Sequence, residues 1–104
     1  MKVKVIVDRP LGSFHPKYKN LYYPINYGYV PNIIAGDNEP QDAYILGVEE
    51  PVLEFEGELI AIIHRLDDIE DKWVVANKFY TIEDIKQATS FQEKYFKTKI
   101  ELLY

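Results

Sequence analysis

Three carboxylates, Asp37, Glu39 and Asp42, fall within six residues and run directly into an apolar segment that begins at Ala43. Carboxylates held this close repel one another, so a cation joins them or one takes up a proton. An EF-hand loop would need glycine at its sixth position and a distal glutamate, but Asp42 occupies the sixth and Pro40 stiffens the fourth. A second acidic group, Asp67, Asp68, Glu70 and Asp71, is followed at once by Lys72. Each cluster alone also fits a polar turn or a solvated hairpin loop. Two such clusters on strands of one small sheet can meet at one mouth and share metal ions.

Phosphoryl transfer asks for that kind of site: cations to neutralise phosphate oxygens, and a positioned water. Arg9 is a candidate phosphate clamp, with a local pair to Asp8 as the competing role, and Lys72, Lys94 and Lys97 are further candidates. Tyrosines 22, 23, 27 and 29 crowd one segment, where their hydroxyls can bond phosphate while the rings pack. His15 and His64 share no ligand spacing and read as structural or surface residues, and Trp73 reads as a packing anchor. With no cysteine, thiolate zinc sites and disulfides are excluded, so oxygen donors and hard cations such as Mg²⁺ or Mn²⁺ are expected.

The elements that must hold these residues are short. Alternation predicts five strands, at Val3–Val7, Ala43–Leu46, Leu59–His64, Trp73–Asn77 and Ile100–Leu103, hence a compact α+β fold built on a small, closed or nearly closed barrel with a C-terminal helical segment. Pro10 to Gly36 carries many of the prolines, glycines and aromatics and reads as an ordered, non-repetitive wrap. Thr81-Ile82-Glu83-Asp84 and Ser90-Phe91-Gln92-Glu93 both fit the capping box, which predicts two short helices or one broken one. With 104 residues and 47% hydrophobic content, the expectation is one domain over 1–104. The net charge of −5 offers no basic face for nucleic acid, and no apolar run suits a signal peptide or a membrane span, so the expected location is cytoplasmic.

Three motifs, Val7-Asp8-Arg9-Pro10, Tyr23-Pro24-Ile25-Asn26-Tyr27-Gly28-Tyr29-Val30-Pro31 and Asp37-Asn38-Glu39-Pro40-Gln41-Asp42, together resemble the soluble (family I) inorganic pyrophosphatases in order and spacing, as a short, N-terminally reduced member. The resemblance implies an OB-like five-stranded β-barrel that splits pyrophosphate with several Mg²⁺ ions. By position it implies Asp37, Asp42 and Asp71 as ligands of the first metal, Asp67 and Asp68 as ligands of substrate-borne metals, and Glu39 in the place of the general base. Tyr27 would lie beside the nucleophile, and Arg9, Tyr23 and Tyr95 on the phosphate side. The family's lysine two residues beyond Asp71 is Trp73 here, with Lys72 one residue early, and Phe96 replaces the lysine after the helix tyrosine, with Lys97 next to it. A homo-oligomer covering barrel edges is a further implication.

The alternatives are a phosphate- or nucleotide-binding relative with little turnover, and an OB-like nucleic-acid or protein adaptor. The acidic balance argues against the adaptor, which would want a basic groove among its aromatics.

Overall fold

The computed structural model describes residues 1–104. Six strands and one helix follow in the order β1 (Lys2–Arg9), β2 (Asn26–Ile34), β3 (Pro40–Ile45), β4 (Glu54–Arg65), β5 (Asp71–Ala76), α1 (Ile82–Glu93) and β6 (Thr98–Leu102). Neighbours in the sheet run β1-β2-β3-β5-β4-β6, and β1 also pairs with β4 from Lys2↔Glu58 to Ile6↔Glu54. That last pairing closes a five-stranded ring and leaves β6 outside it, so the barrel itself has no open edge.

The expected strands all form, but the ring's fifth member is β2 rather than the C-terminal strand. β2 lies inside the segment read as a wrap, because Gly28 and Pro31 punctuate it like a loop. Gly28 is there for space: a Cβ would sit 1.9 Å from the Ile6 carbonyl oxygen on β1. Asn32 has φ of 69° where the β2–β3 register shifts between Val30 and Ile34, a bulge that ends regular pairing before the acidic turn.

Two apolar clusters lie on opposite sides of the curved sheet, as the strand period of two requires. Val3, Val5, Val30, Ala43, Ile45 and Val75 make one, with Trp73 packed against it. Tyr27, Tyr44, Ile63, Val74 and Ala76 belong to the other, which Ile85 of α1 covers. The Thr81 side chain accepts from the Asp84 amide (3.0 Å) and Asp84 from the Thr81 amide (3.2 Å), a reciprocal cap. Ser90 starts no second helix; it lies within α1, and its hydroxyl donates to the Gln87 carbonyl. No helix is long and apolar enough to cross a membrane.

Candidate active site

Where the C-terminal end of α1 reaches the β1, β3 and β5 strand ends, a cavity of about 820 Å³ opens. Arg9, Lys19, Arg65 and Lys72 line it, together with Asp8, Asp42 and Glu70. Tyr18, Tyr23, Tyr27 and Tyr95 line it as well.

Strand register sets its floor. β3 and β5 run parallel with Ala43 opposite Trp73, which brings Asp42 alongside Lys72. Alternation on β5 puts Lys72 on the buried side with Val74, and Asp71 on the other side with Trp73. Lys72 Nζ donates to Asp42 Oδ2 at 2.5 Å and to Glu70 Oε2 at 2.9 Å. Burial works against the ammonium, but Tyr27, Asp42 and Glu70 outweigh it and hold its pKa well above the ordinary lysine value. Burial pushes the Tyr27 phenol well above the ordinary tyrosine value, so it donates hydrogen bonds near neutrality.

Tyr23 is buried at the wall, and its hydroxyl donates to Gln92 Oε1 (3.0 Å). Asn26 fixes the backbone between Tyr23 and Tyr27: fully buried, it accepts from the Leu11 and Val52 amides and donates to the Glu50 carbonyl. Arg9 stays beside its neighbour, with Nη1 at 3.9 Å from Asp8 Oδ2. Desolvation and then the charge of Asp42 raise the Asp8 carboxyl above its ordinary value, against the lowering effect of Arg9.

Of the candidates from sequence, Arg9, Tyr23, Tyr27, Asp42, Lys72 and Tyr95 line this cavity. Asp37, Glu39, Asp67, Asp68, Asp71 and Lys97 do not. Asp37 meets a residue that does line it: a contact with Glu70, then the Glu39 amide, holds its carboxyl below the ordinary range. Glu39 is exposed on the turn. Asp67 accepts from the Lys97 amide (3.4 Å), Asp68 from the Ile69 amide (2.6 Å), and both side chains are exposed, as is Lys97. Asp71 meets His64 Nδ1 at 3.2 Å on the opposite side of β5.

Sequence reading reached Glu70 only as a member of the acidic cluster and Asp8 only as a partner of Arg9, and it missed Arg65 and Lys19. Glu70 was legible in principle, since counting back two residues from Lys72 lands on it rather than on Asp71. This also restores the carboxylate-to-lysine spacing, since Lys72 lies two residues beyond Glu70. No set of three histidine, aspartate or glutamate side chains converges closely enough to hold a metal ion as the groups stand. The place between Asp42 and Glu70 is taken by the Lys72 ammonium.

A closed five-stranded ring with one helix on its outside, and a cleft of paired charges and tyrosines where they meet, define a small OB-like barrel protein with a charged cleft at its mouth. The chain belongs to the inorganic pyrophosphatase family, whose pattern it matches over residues 2–102. It is 38% identical over 55 residues to the soluble inorganic pyrophosphatase of Solanum tuberosum, a match covering 50% of this chain and 26% of that protein. It is 34% identical over 47 residues to inorganic pyrophosphatase 2 of Pseudomonas syringae pv. tomato, covering 42% of this chain and 26% of the relative. The matches thus span about a quarter of these relatives' length. Among solved structures, an inorganic pyrophosphatase from Ehrlichia chaffeensis superposes with a TM-score of 0.75 at 16% identity, covering 98% of this chain and 86% of that one. The Helicobacter pylori enzyme gives 0.71 at 16% identity over 98% and 85%. These two likenesses establish the fold.

Proposed function

We propose that this chain hydrolyses inorganic pyrophosphate to two phosphates with a divalent cation, Mg²⁺ or Mn²⁺. The observation that carries the reading is the Asp42–Lys72–Glu70 array on the cavity floor, with Arg9 and Tyr27 beside it.

The donor chemistry supports a hard cation. Asp42 and Glu70 already hold one positive charge between them, Asp37 faces Glu70, and all three offer only oxygen. Asp42 and Glu70 are the residues that would hold the ion once Lys72 withdraws, with Asp37 beside Glu70 as a further oxygen donor; Asp71, which the resemblance put in this set, meets His64 on the other side of β5. Charge supports it too: Arg9 and Lys72 are paired with carboxylates, so a polyanion gains little without added positive charge. The bound cation would neutralise phosphoryl oxygens and make water a better nucleophile near neutral pH.

The chain's own groups do the rest. Arg9 binds a phosphoryl oxygen from the rim. Lys72, released from Asp42, turns to the transferred phosphoryl group. Tyr23 and Tyr95 bound the cavity wall, and the Tyr27 hydroxyl donates toward the reacting centre. Asp42, on the cavity lining beside Lys72 and Tyr27, accepts the proton of the attacking water; Glu39, out on the turn, is the alternative acceptor.

The test is phosphate release from pyrophosphate with excess Mg²⁺ or Mn²⁺, comparing wild type with Asp42→Asn. Turnover lost in the variant supports the reading. Turnover in neither protein, with metal-linked thermal stabilisation retained by wild type, marks a phosphate-binding relative instead.

A further inference from the structure

β4 ends in a cation, Arg65, that no motif or spacing places at the cavity. The Arg65 side chain is only 6% exposed, yet it forms part of the cavity wall. Its Nε donates to Glu93 Oε1 at 3.1 Å and its Nη2 to Glu93 Oε2 at 2.8 Å, a forked pair on one edge of the guanidinium. Its Cζ lies 3.7 Å from the centre of the Phe96 ring, so one face is stacked as well. Nη1 reaches Glu70 Oε2 at 3.4 Å, the longest of the three contacts. Glu93 is itself pinned, buried at the end of α1 and accepting from the Tyr44 hydroxyl, whose oxygen in turn accepts from Gln92.

A guanidinium carries five N–H donors, and these contacts use three, leaving one on Nη1 and one on Nη2 without a protein partner on a side chain that lines the cavity. Lys72 is committed to Asp42 and Glu70, and Lys19 is exposed on the loop before Tyr23. Arg65 differs from both: it is rigid, held on one edge and one face, and its weakest bond is the one on the cavity side. A fork fixed in advance loses little freedom when it meets two oxygens of one phosphoryl group.

We infer that Arg65 is a substrate-binding residue of this cavity, which takes two oxygens of a phosphoryl group with its free N–H donors while Glu93 and Phe96 hold it still. The inference rests on the pyrophosphatase reading for its natural ligand. A phosphate-binding protein without turnover would use Arg65 in the same way.

The experiment pairs KM and kcat for pyrophosphate at saturating Mg²⁺ with calorimetric binding of methylenebisphosphonate, a non-hydrolysable analogue, in wild type and Arg65→Lys. The expected result is a rise of at least tenfold in both KM and the analogue's Kd, with kcat within a few-fold and the Mg²⁺-linked thermal shift unchanged. A KM and Kd within twofold of wild type would overturn the inference, whatever the turnover. Should Arg65→Lys not fold, Arg65→Met/Glu93→Met removes both ends of the buried pair and strands no charge. Adding Phe96→Lys to that variant puts an ammonium on the same wall. Recovery of analogue binding in the triple variant supports a ligand role, and no recovery assigns Arg65 to structure alone. Wild type that binds analogue without turnover removes the hydrolytic reading and leaves Arg65 standing. Wild type that does neither removes both.

Discussion

Lys72 Nζ lies 2.5 Å from Asp42 Oδ2, across thirty residues of chain, because parallel pairing of β3 with β5 sets the two side by side. The ammonium therefore occupies the place between Asp42 and Glu70 that the proposed function assigns to a divalent ion. Lys72→Met should tighten Mg²⁺ binding in the absence of substrate by about tenfold, the scale of losing one charge-assisted competitor. It should also lower pyrophosphate turnover by about a hundredfold, through loss of a cation on the phosphoryl group. Calorimetric titration with Mg²⁺ alone reads the first effect separately from the second. Weaker Mg²⁺ binding in the variant would show that Lys72 organises the carboxylates rather than competing for them.

Glu70 and Asp71 are neighbours on opposite sides of the sheet, and their variants should separate accordingly. Glu70→Gln is expected to lower kcat by about a hundredfold and to shrink the Mg²⁺-linked thermal shift. Asp71→Asn, whose carboxylate meets His64 away from the cavity, should stay within about threefold of wild type. Assays of the two variants side by side decide it, and the reverse order would return Asp71 to the site.

That pair also shows where the sequence stops being legible. Five of the six strands follow from alternation of apolar and polar residues, and the cap at Thr81 follows from its hydroxyl and Asp84. β2 does not, because Gly28 answers to the Ile6 carbonyl of another strand, and no local pattern records a contact so far away. The acidic loop gave the residue types, but which carboxylate faces the cavity depends on strand phase, and Lys72 burial fixes that phase only once the fold is known. Arg65 was invisible for a similar reason: its partners Glu93 and Phe96 arrive from the far end of α1.

Gly28→Ala tests the close approach directly. The added Cβ would meet the Ile6 carbonyl oxygen at 1.9 Å and the Val7 Cα at 2.8 Å, all backbone, so β1 must move away from β2. The expected cost is about 3 kcal/mol or more, a large part of a small domain's total stability. Urea unfolding measures it. A loss under about 1 kcal/mol would mean the β1–β2 pairing is looser than this register requires.

His64 gives a pH dependence whose sign is fixed by its surroundings. Its Nε2 lies 2.8 Å from Glu101 Oε1 and its Nδ1 3.2 Å from Asp71 Oδ2, so the ring ties β4 to both β5 and β6. The Glu101 hydrogen bond, offset in part by desolvation and aided by Asp71, raises its pKa above the ordinary 6.5. A histidine raised on folding contributes its full stabilisation below the unfolded value and loses it as pH climbs through the folded one. The ring is about one-third exposed, so solvent screening limits the effect to roughly 0.5 kcal/mol. Wild type should therefore exceed His64→Gln in unfolding free energy most clearly at about pH 5.5, before the carboxylates protonate, and the gap should close by about pH 9. Urea titrations of both proteins at those two pH values are the measurement. A gap that stayed constant or grew toward pH 9 would mean that the neutral imidazole, bonded through one nitrogen, already supplies whatever His64 contributes between the strands.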